Sequence, residues 1–261
     1  MKPAFSKWVF IVIAAAFCFL IFQAVKGLNK FGEYNGIYGV TLNKIAVTER
    51  AATNVVSTVA FDYRAVDTMG EEFILFASIA GISLLLRRRH IEEEEIPEED
   101  LPGRTSPDTS DAVKVFGLMY PGFIFLFGAY MVLHAHLTPG GGFQGGVIIA
   151  SAVILIYLAS DYKRFSSIVS LKKLEKIETV GLSGFILTGI YAFFRGDSFL
   201  YNFLPYGVKG SYLSGGIILL LNIFVGLAVS GGIILLANEF LEQTILLRET
   251  RAIVRRGSKK K

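Results

Sequence analysis

Six long, nearly uncharged apolar runs constrain this chain more than any other feature. They cover residues 8–25, 69–86, 113–133, 143–159, 177–194 and 213–237. A helix of about 18 residues rises about 27 Å, close to the hydrocarbon thickness of a bilayer. The expected fold is therefore an all-α, polytopic membrane protein with six spans. A soluble enzyme is excluded by the same argument, because charged residues make up only 18% of the chain and fall mostly between the runs. Trp8 suits a headgroup position, and the first run is too long and aromatic for a cleaved signal core.

Basic residues orient the spans. With the N-terminus inside, 19 Lys and Arg fall on the inner side and 7 on the outer, so both termini are expected in the cytoplasm. That makes the plasma membrane the expected location. The net charge of +4 needs no nucleic acid to explain it, and the basic end reads as an anchor beside anionic lipid. The lone Cys18 lies within an apolar run. One cysteine leaves no intrachain disulfide, CxxC site or cysteine-bound iron–sulfur cluster.

The charge pattern divides the chain as 2 + 4 spans. Residues 1–86 form a two-span unit, 87–111 a linker, 112–242 a four-span unit and 243–261 a basic tail. The linker carries Arg87-Arg88-Arg89, Glu92-Glu93-Glu94-Glu95, Pro97, Pro102 and Pro107. It reads as a solvated segment, with docking of a basic partner as the alternative. Within the outer loop, residues 48–60 are moderately apolar but too short to cross, which suggests a re-entrant or interfacial helix. Pro121 should interrupt the third span. The heptapeptide Ser-Gly-Gly-Ile-Ile-Leu-Leu occurs at 214–220 and again at 230–236. Both copies fall in the sixth run, where small residues allow close helix approach; Gly181 and Gly184 suggest the same for the fifth.

No motif of soluble catalysis is present: GxSxG, P-loop, HExxH and strand-linked GxGxxG are all missing. No catalytic residue, metal ligand set or bound cofactor is expected. Two polar strings remain. Asp62-Tyr63-Arg64-Ala65-Val66-Asp67-Thr68-Met69-Gly70-Glu71-Glu72 enters the second span. A helix would put Asp67 and Glu71 on one face, with Arg64 as local counter-ion. Carboxylates there are either an ordinary charged helix end or, since intramembrane charge is costly, groups kept for pairing or ion passage. Glu72 fits the first reading better, but belongs to the candidate set.

The second string is His134-Ala135-His136-Leu137-Thr138-Pro139-Gly140-Gly141-Gly142-Phe143-Gln144-Gly145-Gly146, between the third and fourth spans. If helical, His134 and His136 would point to different sides. The glycines suit a tight turn with left-handed backbone. Histidine titrates near neutral pH, so the turn could also lie on a proton path.

This string closely resembles the signature of the MnhB domain. That domain is the B subunit of Mrp-type multisubunit Na⁺/H⁺ antiporters, with counterparts in archaeal membrane-bound hydrogenases and sulfur reductases. The stretch from Phe61 to Glu71 resembles the end of the large antiporter A subunit. The resemblance implies a place in an ion-translocating module related to respiratory complex I, moving Na⁺ and H⁺. It implies other membrane subunits as partners, with a redox peripheral arm. It makes Asp67, Glu71, Arg64, Glu72, His134 and His136 candidate ion-path groups, with Glu71 foremost. Thr138, Pro139, Gly140, Gly141, Gly142 and Gln144 become the structural turn. Fusion of the two units in one chain favours a respiratory complex over a stand-alone Mrp antiporter, and predicts that the units lie side by side. A purely structural membrane scaffold is the third possibility.

Overall fold

In the computed structural model, residues 3–28, 36–86, 110–160, 165, 167, 170–196 and 198–258 are described. The charged linker at 87–109 lies outside them. Among the described residues the only regular structure is helical, the arrangement that satisfies every backbone group inside a bilayer. Six helices are long and apolar enough to cross: Trp8–Lys26, Ala65–Leu86, Asp111–Leu133, Gly142–Ala159, Leu171–Gly196 and Ile218–Leu241.

The chain forms two compact units, Met1–Thr41 and Leu42–Lys261. The first holds α1 (Pro3–Lys26), whose Trp8, Phe10, Phe17 and Phe22 point outward, as lipid-facing side chains do. Helix α2 (Ile37–Arg50) straddles the division. The second unit continues through α3 (Val55–Thr58), a π-helical turn (Val59–Tyr63) and α4 (Ala65–Leu86). It is completed by α5 (Asp111–Met119), α6 (Pro121–Leu133), α7 (Gly142–Ala159), α8 (Leu171–Gly196) and α9 (Ile218–Ser258).

Helix α9 is the axis of this unit, packing against α4, α6, α7 and α8. Its Ile218, Leu221, Val225 and Val229 are almost wholly buried. The second span thus lies in the same unit as the four later ones and packs against α9.

Three departures from the sequence reading have local causes. First, the outer segment 48–60 is not one helix. Helix α2 stops at Arg50, and Ala51 takes a left-handed φ of 53°. Asn54 then caps α3, its side chain accepting from the amides of Val56 (3.1 Å) and Ser57 (3.3 Å). Second, α8 begins six residues before the apolar run and takes in Lys172, Lys173, Glu175 and Lys176.

Third, the two heptapeptides adopt different structures. The sixth span starts at Ile218, not 213, because Gly215 (φ 80°) and Gly216 (φ 62°) form a left-handed turn. Asn202 fixes it: its Oδ1 accepts from the Ile217 amide (2.9 Å) and its Nδ2 donates to Gly215 O (3.1 Å). Ser230, Gly231 and Gly232 of the second copy lie inside α9. That helix runs on to Ser258, through most of the expected basic tail. Pro121 acts as expected. It lacks an amide, cannot bond back to Gly117, and divides the third span into α5 and α6.

Candidate functional site

The turn between α6 and α7 is held from outside by the segment preceding α3. The Asn54 amide donates to His136 O (3.1 Å), and Asn54 Nδ2 donates to Ala135 O (2.7 Å) and Thr138 O (3.0 Å). Thr53 Oγ1 donates to Leu137 O. Consecutive Thr and Asn side chains therefore satisfy carbonyls that neither helix can use.

His134 and His136 lie in this turn rather than on a helix, and they converge instead of diverging. Both ring centroids approach Tyr212, at 5.4 and 6.2 Å, and His134 also stacks on Tyr130 at 4.4 Å. His136 is fully buried, and its Nε2 lies 2.9 Å from Tyr212 O. A carbonyl only accepts, so Nε2 carries the proton. Burial pushes the His136 pKa down, outweighing the support of that bond, so the ring is held neutral. The Nδ1 atoms of His134 and His136 are buried without a hydrogen-bond partner.

The glycines serve packing, not left-handed backbone. None from Gly140 to Gly146 is among the glycines with positive φ; Gly141 is extended at φ 174°. A Cβ on Gly142 would lie 2.5 Å from Asn222 O and 2.7 Å from Val225 Cβ of α9. One on Gly146 would meet Val229 Cβ at 2.8 Å. On the other side of α7, a Cβ on Gly145 would meet Gly128 O of α6 at 2.7 Å. The motif is the notch that lets α7 touch two helix backbones at once.

Asn222 is the buried polar hub behind it. Its Oδ1 accepts from the Gly142 amide (2.9 Å), while Nδ2 donates to Ser57 Oγ (3.0 Å) and Ile218 O (2.8 Å). One side chain thus joins α3, α7 and α9. Thr138 is half-buried, with its hydroxyl 3.3 Å from His134 O. Pro139 and Gln144 are exposed, and the side chain of Gln144 lies next to Gly141.

The acidic string divides by helix face. Arg64 pairs with Asp67 one turn away, both side chains being more than half exposed. Glu71 also faces outward, but Glu72 is buried (3% exposed) and its Oε1 has no hydrogen-bond partner. A second buried carboxyl, Glu178 of α8, is 7% exposed and interacts electrostatically with Glu72. It is the second residue of the apolar run 177–194 and is absent from the sequence-derived candidates because no motif marks it. Among the described residues no three His, Cys, Asp or Glu side chains form a metal-holding group.

A further network secures the segment that precedes α4. Arg50 Nε donates to Asp62 Oδ1 (2.7 Å), whose Oδ2 accepts from Asn202 Nδ2 (2.7 Å). The Arg50 guanidinium lies about 5 Å from the Tyr63 and Tyr206 rings. Burial first, then the hydrogen bond to Glu49 (2.6 Å), pushes the Tyr63 phenol up to about 12. Asp62 thus holds the segment before α4 to the α9 entry turn. Its place in the acidic string was the only sequence signal, since Asn202 lies 140 residues away.

Comparison with known proteins gives a consistent setting. Residues 113–235 match the family model described as a domain related to the MnhB subunit of Na⁺/H⁺ antiporters. An uncharacterised protein of Methanocaldococcus jannaschii is 32% identical over 210 residues, covering 72% of this chain and 77% of the relative. Among solved structures, a chain of the membrane-bound sulfane sulfur reductase, an archaeal respiratory membrane complex, superposes with TM-score 0.71 at 25% identity. That match covers 91% of this chain and 98% of the other. A chain of the Mrp complex from Dietzia sp. DQ12-45-1b shares the fold, with TM-score 0.69 at 23% identity, over 92% of this chain and 26% of that one. The antiporter subunits matched in sequence are spanned only in part, from 20% to 57% of their length.

Proposed function

The chain belongs to the family of domains related to the MnhB subunit of Na⁺/H⁺ antiporters, and from that premise we propose that it is a non-catalytic membrane subunit of a respiratory complex related to complex I, of the archaeal hydrogenase or sulfur-reductase type. Within that complex it forms part of an antiporter-like module that moves Na⁺ and H⁺. The observation that carries this reading is the match along almost the whole chain to one chain of the sulfane sulfur reductase complex. The Mrp match also extends through both of the units expected from sequence, so their fusion does not separate the two kinds of assembly.

The outward face of α4 supports a place among other subunits. Asp67 and Glu71 project from a span beside large apolar side chains such as Phe73 and Ile74. Charge on the outer surface of a span is costly in lipid, and a neighbouring subunit would relieve that cost. On this reading Arg64, Asp67 and Glu71 line an ion path completed by a partner. His134, His136, Thr138 and Gln144 support its outer end. The excess of Lys and Arg on one side supports cytoplasmic termini, and a respiratory complex of this kind would lie in the plasma membrane.

Purification through a tag on this chain, in mild detergent, tests the assignment. Other membrane subunits should copurify together with iron–sulfur subunits, detected by mass spectrometry and by iron content. An assembly active in Na⁺/H⁺ exchange but free of iron would transfer the chain to a dedicated Mrp antiporter. A chain that purifies alone would overturn both.

A further inference from the structure

We propose that Glu72 and Glu178 are successive proton-binding stations on a path through this chain, between α4, α8 and α9. This rests on the ion-translocating reading above and names the residues that would carry protons within it.

The two carboxyls come from different helices, and both are removed from the surface, at 3% and 7% exposure. Glu72 Oε1 is buried with no hydrogen-bond partner, an expensive state that a purely structural residue has no reason to keep. Glu178 occupies a built notch. A Cβ on Gly232 would lie 3.0 Å from Glu178 Oε1, and one on Gly231 would lie 3.0 Å from the Glu178 amide. The second copy of the heptapeptide therefore makes room for this carboxyl. Helix α4 reaches the same notch through Ile79, whose Cδ1 would be 2.5 Å from a Gly232 Cβ. Ile79 lies seven residues after Glu72, two turns along one helix face. Glu72 and Glu178 thus lie on two helices that both pack against α9, and Glu72 feels the charge of Glu178.

Among the described residues, the charges acting on the pair are acidic. Glu72 also feels Glu71 on its own helix, and Glu178 feels Glu175 on α8. Helix α4 contains no Lys or Arg, and the membrane part of α9 carries only Glu239 as a titratable residue. The lysines of α8, Lys172, Lys173 and Lys176, are exposed, and Arg195 is at its far end. Two ionised carboxylates without a cation are strongly disfavoured in an apolar interior. A proton on one of them removes the conflict. Among the described residues no third His, Cys, Asp or Glu joins the two carboxyls, and two carboxyls alone do not make a cage for a resident metal. They do make a relay. The O–H bond breaks on one carboxylic acid as a new one forms on the other carboxylate, the proton passing through intervening water across the two helical turns, about 10 Å, between Glu72 and the notch, and the negative charge moves the opposite way.

The test uses the assembled complex in proteoliposomes, reading H⁺ movement on addition of NaCl, with KCl as control. Glu72→Gln and Glu178→Gln should each lower H⁺ movement at least about tenfold, a modest share of what a positioned proton carrier contributes. Glu72→Asp and Glu178→Asp should retain movement with a shifted pH profile, which a packing role would not produce. Asp111→Asn, at the exposed start of α5, should leave transport unchanged. Full H⁺ movement in an assembled Glu178→Gln complex overturns the relay. So does loss of assembly in both Gln variants, because the carboxyls would then be holding the fold. If the wild-type chain joins no complex, the functional reading itself has failed and the relay falls with it.

Discussion

Gly142→Ala lowers the thermal stability of the protein and its yield of assembled complex. A single added methyl would sit 2.5 Å from Asn222 O and 2.7 Å from Val225 Cβ. The first of these is backbone of a buried helix, which cannot swing aside. Overpacking of this kind costs about 1–3 kcal/mol. Separating α7 from α9 also stretches the bond from the Gly142 amide to Asn222, worth about 1 kcal/mol more. Gly141→Ala is the matched control. The atoms nearest its Cβ belong to the side chain of the exposed Gln144, which can rotate away. Circular dichroism melting and size-exclusion profiles of the two variants should therefore separate clearly. Equal behaviour would mean that the glycine motif does not work through close helix approach.

Asn222→Leu should be as damaging, for a polar rather than a steric reason. Leucine preserves most of the volume but makes none of the three hydrogen bonds of the native side chain. The Gly142 amide and the Ser57 hydroxyl are left buried without this partner, at about 1–3 kcal/mol for each group. Ser57→Ala removes only one bond and should cost less. Amide exchange at the start of α7, measured by mass spectrometry, should accelerate in Asn222→Leu and stay near wild type in Ser57→Ala. Protection in both variants would show that the hub is not needed to hold α7.

Hydropathy made the six spans legible because bilayer length and apolar composition are local properties of the sequence. The helix ends were not local. The same Ser-Gly-Gly-Ile-Ile-Leu-Leu is a left-handed entry turn at 214–220 and part of a continuous helix at 230–236. What distinguishes the copies is Asn202, which captures the first but not the second. The early start of α8 was concealed in the same way, since its lysines masked a helical turn that ends at a buried glutamate.

The candidate residues were legible as a motif but not as a geometry. The histidine–glycine string marked the α6–α7 turn, yet its glycines act at backbone contacts with α6 and α9 that spacing cannot reveal. The acidic string marked the start of α4. Which face its carboxylates take depends on α8 and α9, more than 100 residues away in sequence, and the structure buries Glu72 while leaving Asp67 and Glu71 outside.

Deletion of this chain from membranes that carry the whole complex tests the central claim most directly. With the chain absent, Na⁺-dependent H⁺ movement in inverted vesicles should disappear, while electron transfer by the peripheral redox subunits from an artificial donor continues. Restoring the wild-type chain should restore the ion movement. Exchange that persists without the chain, or redox turnover that vanishes with it while the redox subunits remain intact, would contradict the account.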